Sequence, residues 1–258
     1  MNAPVRLERD GDVAVVTFDA PPLNLFDAAM MEALEHVVGE LEADPGRAVL
    51  LRADGRVVSG GVDVGAVFDG LGAGDAERLW EHWLGVIGRL ESLPVPTVFA
   101  AHALCLTAAF EIALACDLLL AAESARFGLV EIVVGLTPSM GGPQRLAERA
   151  GPARAKELIM TGELYGAGTL HSWNVVNRVL ADDTFAGESL EFTRRLAAGP
   201  TLAHGATKAI VAAVRDGVTE ADRRTPQLSA ALFESDDLRG GVRSFLEDGP
   251  GNATFAGK

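Results

Sequence analysis

PTVFAAHALCLTAAFEIALACD, residues 96–117, is the stretch on which the fold turns. Pro96 to Ala101 has the β-branched and aromatic content of a strand, and Ala108 to Ala115 has the composition of a short helix. Leu118 to Ala121 follows as another strand. From Val98 to Ala122 the chain is apolar enough to be mistaken for a membrane span. His102, Glu111 and Asp117 interrupt it, and each acid would cost about 3 kcal/mol at a bilayer centre. The stretch therefore reads as the buried core of a soluble α/β protein.

Working outward, Val13 to Phe18 is rich in β-branched residues and predicts a strand, ended by Pro21-Pro22. Met30, Leu34, Val37, Val38 and Leu41 recur at helical spacing, which predicts a helix from Ala28 to Glu42. Asp44-Pro45-Gly46 stops it, and Ala48 to Arg52 is a second strand. Gly55 to Gly74 is glycine-rich and irregular. Leu79, Trp80, Trp83, Ile87 and Leu90 mark a helix that ends before Pro94. Beyond the opening stretch, Glu131 to Gly135 is expected as a further strand. The pattern then turns helical, with candidates at Ala153 to Met160, Phe185 to Ala198, Leu202 to Val214, Pro226 to Glu234 and Leu238 to Glu247. Gly249 to Lys258 is expected to be loosely held. Strands and helices alternate early and helices dominate late, which implies an α/β core with a helical C-terminal part.

The 258 residues are 48% apolar, enough for a sizeable core. The formal net charge of −14 repels phosphate backbones and anionic lipid heads, so neither nucleic acid nor membrane is expected as a partner. An anionic substrate would need a local basic pocket. Cys105 and Cys116 both lie in apolar sequence, suggest no disulfide framework and fit no metal spacing. They suit a reduced, cytoplasmic protein. Met1 to Arg6 lacks the apolar core of a signal peptide.

Two carboxyls stand out. Glu111, in AAFEIAL, and Glu131, in FGLVEIVV, are surrounded by apolar residues. Burial would raise the pKa of each, and such a pair can divide acid and base duties. Spacing alone favours salt-bridged core acids or side chains that face water. Val58-Ser59-Gly60-Gly61-Val62-Asp63 is either a tight turn or a place where backbone N–H groups meet a ligand. Pro138 to Leu146 reads as a loop feeding a helix, with Pro143 suited to its first turn.

In order along the chain these pieces resemble one family. Gly60-Gly61-Val62-Asp63 is similar to a loop usually written A-G-A-D. Residues 96–117 resemble, at equal length, a stretch ending G-G-G-x-E-(L/I)-A-x-x-C-D. Phe127 to Glu131 resembles F-G-x-P-E, and Gly135 to Leu146 resembles G-x-x-P-G-x-G-G-x-Q-R-L. Thr161-Gly162 and Val175-Val176-Asn177 match later landmarks. The family is the crotonase, or enoyl-CoA hydratase/isomerase, superfamily, and the resemblance runs from about Val5 to Leu246.

The resemblance implies a crotonase-like spiral of β-β-α units with a helical C-terminal part. Residues 1–195 would form the core with the acyl-CoA site, and residues 196–258 a helical oligomerisation region. It implies a homotrimer or dimer of trimers acting on an acyl-CoA substrate, with no metal and no other cofactor, because the coenzyme A belongs to the substrate. An enolate thioester would be held by the N–H groups of Val62 and Ala108, helped by the helix dipole at Ala108. Glu111 falls where a glutamate activates water, and Glu131 where one exchanges a proton with the α-carbon. Ser139 takes a water-positioning place. Gly60, Gly61, Asp63 and Lys208 fall at coenzyme A-binding places. The implied activity is hydration of a trans-2-enoyl-CoA. A double-bond isomerase, which needs only Glu131, and a non-catalytic acyl-CoA-binding protein are the alternatives.

The sequence also departs from the pattern. Thr107-Ala108-Ala109 replaces the triple glycine, His102-Ala103 replaces an Asn-Gly turn, and Val62 replaces an alanine. Backbone donors survive these changes, but the added bulk narrows the room around a thioester. His102 is expected to be a satisfied core histidine.

Overall fold

A computed structural model describes residues 3–258; Met1 and Asn2, with the expectation attached to them, lie outside the described residues. Strands β1 (Val5–Asp10) and β2 (Val13–Phe18) form an antiparallel hairpin. Helix α1 (Ala28–Ala43) follows, its first turn capped by Asp27, which accepts from the Met30 N–H. Then come β3 (Ala48–Ala53), short α2 (Val64–Phe68), α3 (Ala73–Glu91), β4 (Thr97–Ala101) and β5 (Cys105–Leu106). Helix α4 (Thr107–Ala115) leads to β6 (Leu118–Ala122) and β7 (Arg126–Gly128). Next are α5 (Gly142–Ala150), α6 (Pro152–Thr161), β8 (Tyr165–Gly166), α7 (Ala167–Ser172) and β9 (Arg178–Leu180). Helices α8 (Phe185–Ala197), α9 (Thr201–Ala213), α10 (Val218–Ala231) and α11 (Asp236–Asp248) complete the described chain.

The larger sheet has the order β1-β2-β3-β4-β6-β9 and is parallel after its first pair. Every residue of β2 and β4 is buried, as parallel strands covered on both faces require. The smaller sheet joins β5 to β7 in parallel and β7 to β8 antiparallel. A bridge from Ser59 to Cys105 extends it by one segment. The chain thus visits the large sheet, then the small one, then a helix, and repeats: β3, Ser59, α2–α3; β4, β5, α4; β6, β7, α5–α6. This is the β-β-α spiral, and α8 to α11 form the helical part behind it.

Residues 98–122, ambiguous in hydropathy, resolve into two large-sheet strands with β5 and α4 between them. All nine residues of α4 are buried. Among the described residues no helix is long and apolar enough to cross a membrane. Phe110 packs on Phe127 with ring centroids 5.2 Å apart, which clamps α4 to the small sheet. At the other end of α4, the Arg149 guanidinium donates to the carbonyls of Leu114 and Cys116, meeting the negative end of the helix dipole.

Three expectations are corrected. Glu131–Val134 is a 3₁₀ turn, not a strand. Its N–H and C=O groups are consumed locally, Val133 N–H donating to Val130 O and Gly135 N–H to Ile132 O, with Gly135 left-handed at φ 77°. The helix expected from Pro226 begins at Val218, and Pro226 lies inside it, where it forgoes one hydrogen bond and crowds the carbonyl one turn back. Glu220 supports its first turns by pairing with Arg223 and Arg224. The tail is tied down. Buried Asp237 accepts from the Ala256 and Gly257 N–H groups, and its own N–H donates to Lys258 O.

Candidate active site

Neighbouring strands of the small sheet end side by side, and the site grows from those ends. Ser59 pairs with Cys105, so the parallel register carries Val62 to the level of Ala108. Leu106 pairs with Gly128, which brings the residues after β7, and so Glu131, alongside the start of α4. Gly128 keeps that approach close, since a Cβ there would stand 2.5 Å from the Leu164 side chain and push it aside.

The two backbone donors are free. Phe26 N–H donates to Gly61 O and Asp63 N–H to Phe26 O, which turns the Val62 N–H between them to the opposite side. It has no acceptor among the described residues. Ala108 lies in the first turn of α4, where N–H groups have no intrahelical partner, and no side chain caps that end. Gly60 and Gly61 let the loop approach closely. A Cβ on Gly61, at φ 106°, would sit 2.6 Å from Thr107 Oγ1.

Glu111 is 2% exposed. Its Oε1 accepts from the N–H groups of Met140 (2.9 Å) and Gly142 (2.8 Å), and Oε2 is left uncommitted. Burial pushes this carboxyl up to about 8, the negative charge of Glu131 adds to the rise, and the two N–H groups oppose it. Burial likewise raises Glu131, to about 7. Its Oε2 is buried with no partner. Arg145 stays on its own partner, Glu91, at 2.7 Å. Neither salt bridge nor open solvent therefore accounts for the two acids.

Ser139 stands one residue before the Met140 donor, with its hydroxyl donating to Thr137 O at 2.9 Å. Asp63 begins α2 as its cap, accepting from the Ala66 N–H at 2.9 Å. Lys208 is not gathered into this group. Its ammonium is drawn inward to Asp117 (2.7 Å) and Val95 O (2.9 Å), pinning α9 to the core. His102 is satisfied as expected, but half-buried, against Gly55 O at 3.0 Å.

Sequence reasoning missed Arg145 and Thr107. Arg145 lies beneath the Gly141-Gly142 turn, where a Cβ on Gly141 would collide with its guanidinium. The signal was present, since two adjacent glycines before a buried arginine mark a close approach. Together the site offers two carboxyls that hold protons near neutrality and two unpaired N–H groups converging at one helix start. Equipment of this kind can move protons beside a developing oxyanion.

Comparison with known proteins agrees. The enoyl-CoA hydratase/isomerase family profile matches residues 8–255. A probable enoyl-CoA hydratase of Bacillus subtilis (strain 168) is 31% identical over 253 residues, covering 96% of both chains. Carnitinyl-CoA dehydratase of Salmonella arizonae is 30% identical, over 96% of this chain and 97% of that one. A crystal structure of enoyl-CoA hydratase subunit I from Geobacillus kaustophilus superposes with a TM-score of 0.91 at 28% identity, covering 99% of this chain and 98% of the other. Strand order, paired carboxyls and the family match along nearly the whole chain lead to one conclusion: this chain belongs to the enoyl-CoA hydratase/isomerase family of the crotonase superfamily and is an enzyme.

Proposed function

We propose that the enzyme adds water to a trans-2-enoyl-CoA, and that Glu111 and Glu131 divide the proton transfers. The observation that carries this reading is the grip on Glu111. Two N–H groups fix one oxygen and favour the ionised form, so the reacting state of the proton-sharing pair is the one with Glu111 ionised and Glu131 protonated, in which the free Glu111 oxygen takes a proton from water. As water attacks the β-carbon, the C–O bond forms and the π electrons pass to the thioester oxygen. The N–H groups of Val62 and Ala108 receive that charge. Glu131 delivers its proton to the α-carbon. Glu111 then holds a proton and Glu131 has lost one, and exchange through water resets the pair. Ser139, beside the Met140 donor, is suited to position the water, and Gly60 and Gly61 to let the coenzyme A portion pass close to the backbone. The relatives named hydratase and dehydratase support hydration chemistry over isomerisation.

The working form, on this reading, is a cytoplasmic homotrimer or dimer of trimers. Support comes from apolar side chains on the C-terminal helices that the single chain leaves uncovered, Phe233 at 74% and Phe245 at 59% exposure.

The test measures hydration, double-bond migration and α-proton exchange side by side. Glu111→Gln should lose hydration by about 10²–10⁴ and keep more of the α-exchange. Glu131→Gln should lose both. Undiminished hydration by Glu111→Gln would overturn the mechanism. Migration untouched in Glu111→Gln, with no hydration by the parent enzyme, would make the enzyme an isomerase.

A further inference from the structure

Thr107 is the residue that the site described so far does not use. It stands at φ 45°, a left-handed conformation that a β-branched side chain seldom adopts. Strain of that kind persists where the surroundings fix it, and it gathers at functional sites. Thr107 is 7% exposed, and its Oγ1 is buried with no hydrogen-bond partner. Buried hydroxyls are otherwise almost always paired, so an orphan calls for an explanation. Among the described residues, Glu131 Oε2 at this same site is one of the other two buried side-chain atoms left unpaired.

The place of the hydroxyl narrows the explanation. It fills the space that a Gly61 side chain would occupy, 2.6 Å from the position of that Cβ. Gly61 immediately precedes Val62, and Thr107 immediately precedes Ala108. The hydroxyl therefore lies between the two segments whose next N–H groups are free. It also sits at the positive end of α4, where an acceptor carrying negative charge is favoured. The atom that would complete this arrangement is an oxygen arriving between Val62 and Ala108.

We propose that Thr107 is a catalytic residue whose Oγ1–H is a third hydrogen-bond donor to the thioester oxygen, beside the N–H groups of Val62 and Ala108. The proposal rests on the oxyanion reading given above. It assigns the added bulk at the first position of Thr107-Ala108-Ala109 a chemical use: a donor gained where glycine would supply none. The hydroxyl keeps its own proton throughout, and its bond strengthens as charge reaches the oxygen.

The experiment compares Thr107→Val, which keeps the branched shape without the donor, Thr107→Ser, which keeps the donor, and Thr107→Gly, which removes hydroxyl, bulk and strain together. Two readouts are taken. One is the absorption of bound para-dimethylaminocinnamoyl-CoA, which moves to the red as its carbonyl is polarised. The other is kcat for hydration of an enoyl-CoA. Thr107→Val and Thr107→Gly should both lose a large part of the red shift and about tenfold or more in kcat. Thr107→Ser should recover most of each. If Thr107→Val matches the parent in both readouts, or Thr107→Gly matches it while Thr107→Val lags, the hydroxyl is not a donor and the proposal falls. A parent enzyme that shifts the probe but hydrates nothing would sink the hydratase reading, while the Thr107→Val shift still decides the role of Thr107. A parent that leaves the probe unshifted would overturn both. Should Thr107→Val fail to fold, Thr107→Ala against Thr107→Ser makes the same comparison.

Discussion

Glu111 pays for its position in protons. Its ordinary pKa of 4.5 rises to about 8 in the fold, so between those values the folded chain keeps a proton that the unfolded chain has released. Stability contributed by this group is then full at low pH and declines as pH climbs from about 4.5 toward 8. Glu111→Gln has no such proton to lose, and its amide oxygen can still accept from Met140 and Gly142. The variant should gain on the parent as pH rises from 5 to 8.5, by at most about 5 kcal/mol at 1.36 kcal/mol for each pK unit. Urea denaturation of both proteins at several pH values checks this. An advantage that stays constant with pH would mean that the carboxyl titrates normally.

Among the elements, the turn before α5 decides how Glu111 is held. Gly142 donates to the carboxylate, and a Cβ on it would stand 2.9 Å from Oε1 and 3.1 Å from Leu129 Cδ1. Gly142→Ala should therefore displace Glu111 with little change in melting temperature. Its kcat for hydration should fall by about tenfold to a hundredfold, since misplacing a reacting group costs rate steeply. An alanine variant with the parent's kcat would show that the carboxylate tolerates another seat. Legibility differed among elements for related reasons. Strand β2 and helix α1 were readable almost to the residue, because a run rich in β-branched residues and a clean 3.6-residue repeat sat between Pro, Asp and Gly stops. Ile132-Val133-Val134 misled, because β-branched residues favour strands only when a partner strand is present, and here the chain turns on itself. Pro226 misled by its reputation as a helix starter. Glu111 and Glu131 were legible as acids in apolar sequence. Their meeting was not, since it depends on Leu106 pairing with Gly128, a register that no local pattern encodes. The pairing of Lys208 was not legible because its Asp117 partner lies 91 residues away in sequence.

For the molecule as a whole, the C-terminal helices and the returning tail form an open apolar groove of about 440 Å³, lined by Leu202, Leu232, Val242, Phe245, Leu246 and Phe255. Asp237 gathers the tail at one side of it. With Phe233 and Leu246 also turned outward, this face has the character of a surface that other chains cover. Sedimentation at micromolar concentration should show three or six copies of the 27.0 kDa chain. Replacing Phe233 and Phe245 by glutamate should shift the population toward single chains without loss of helix signal. A parent protein that sediments as one chain would end the trimer reading. Away from that surface, Cys105 and Cys116, the chain's two cysteines, are sealed in the core, and burial drives both thiols upward in pKa, far from the reactive thiolate. The enzyme consequently presents no accessible thiol of its own to a thiol-reactive dye. One cysteine placed on the exposed face of the C-terminal helices becomes a unique attachment point, so distances between copies in the proposed trimer can be sought optically on an otherwise native background.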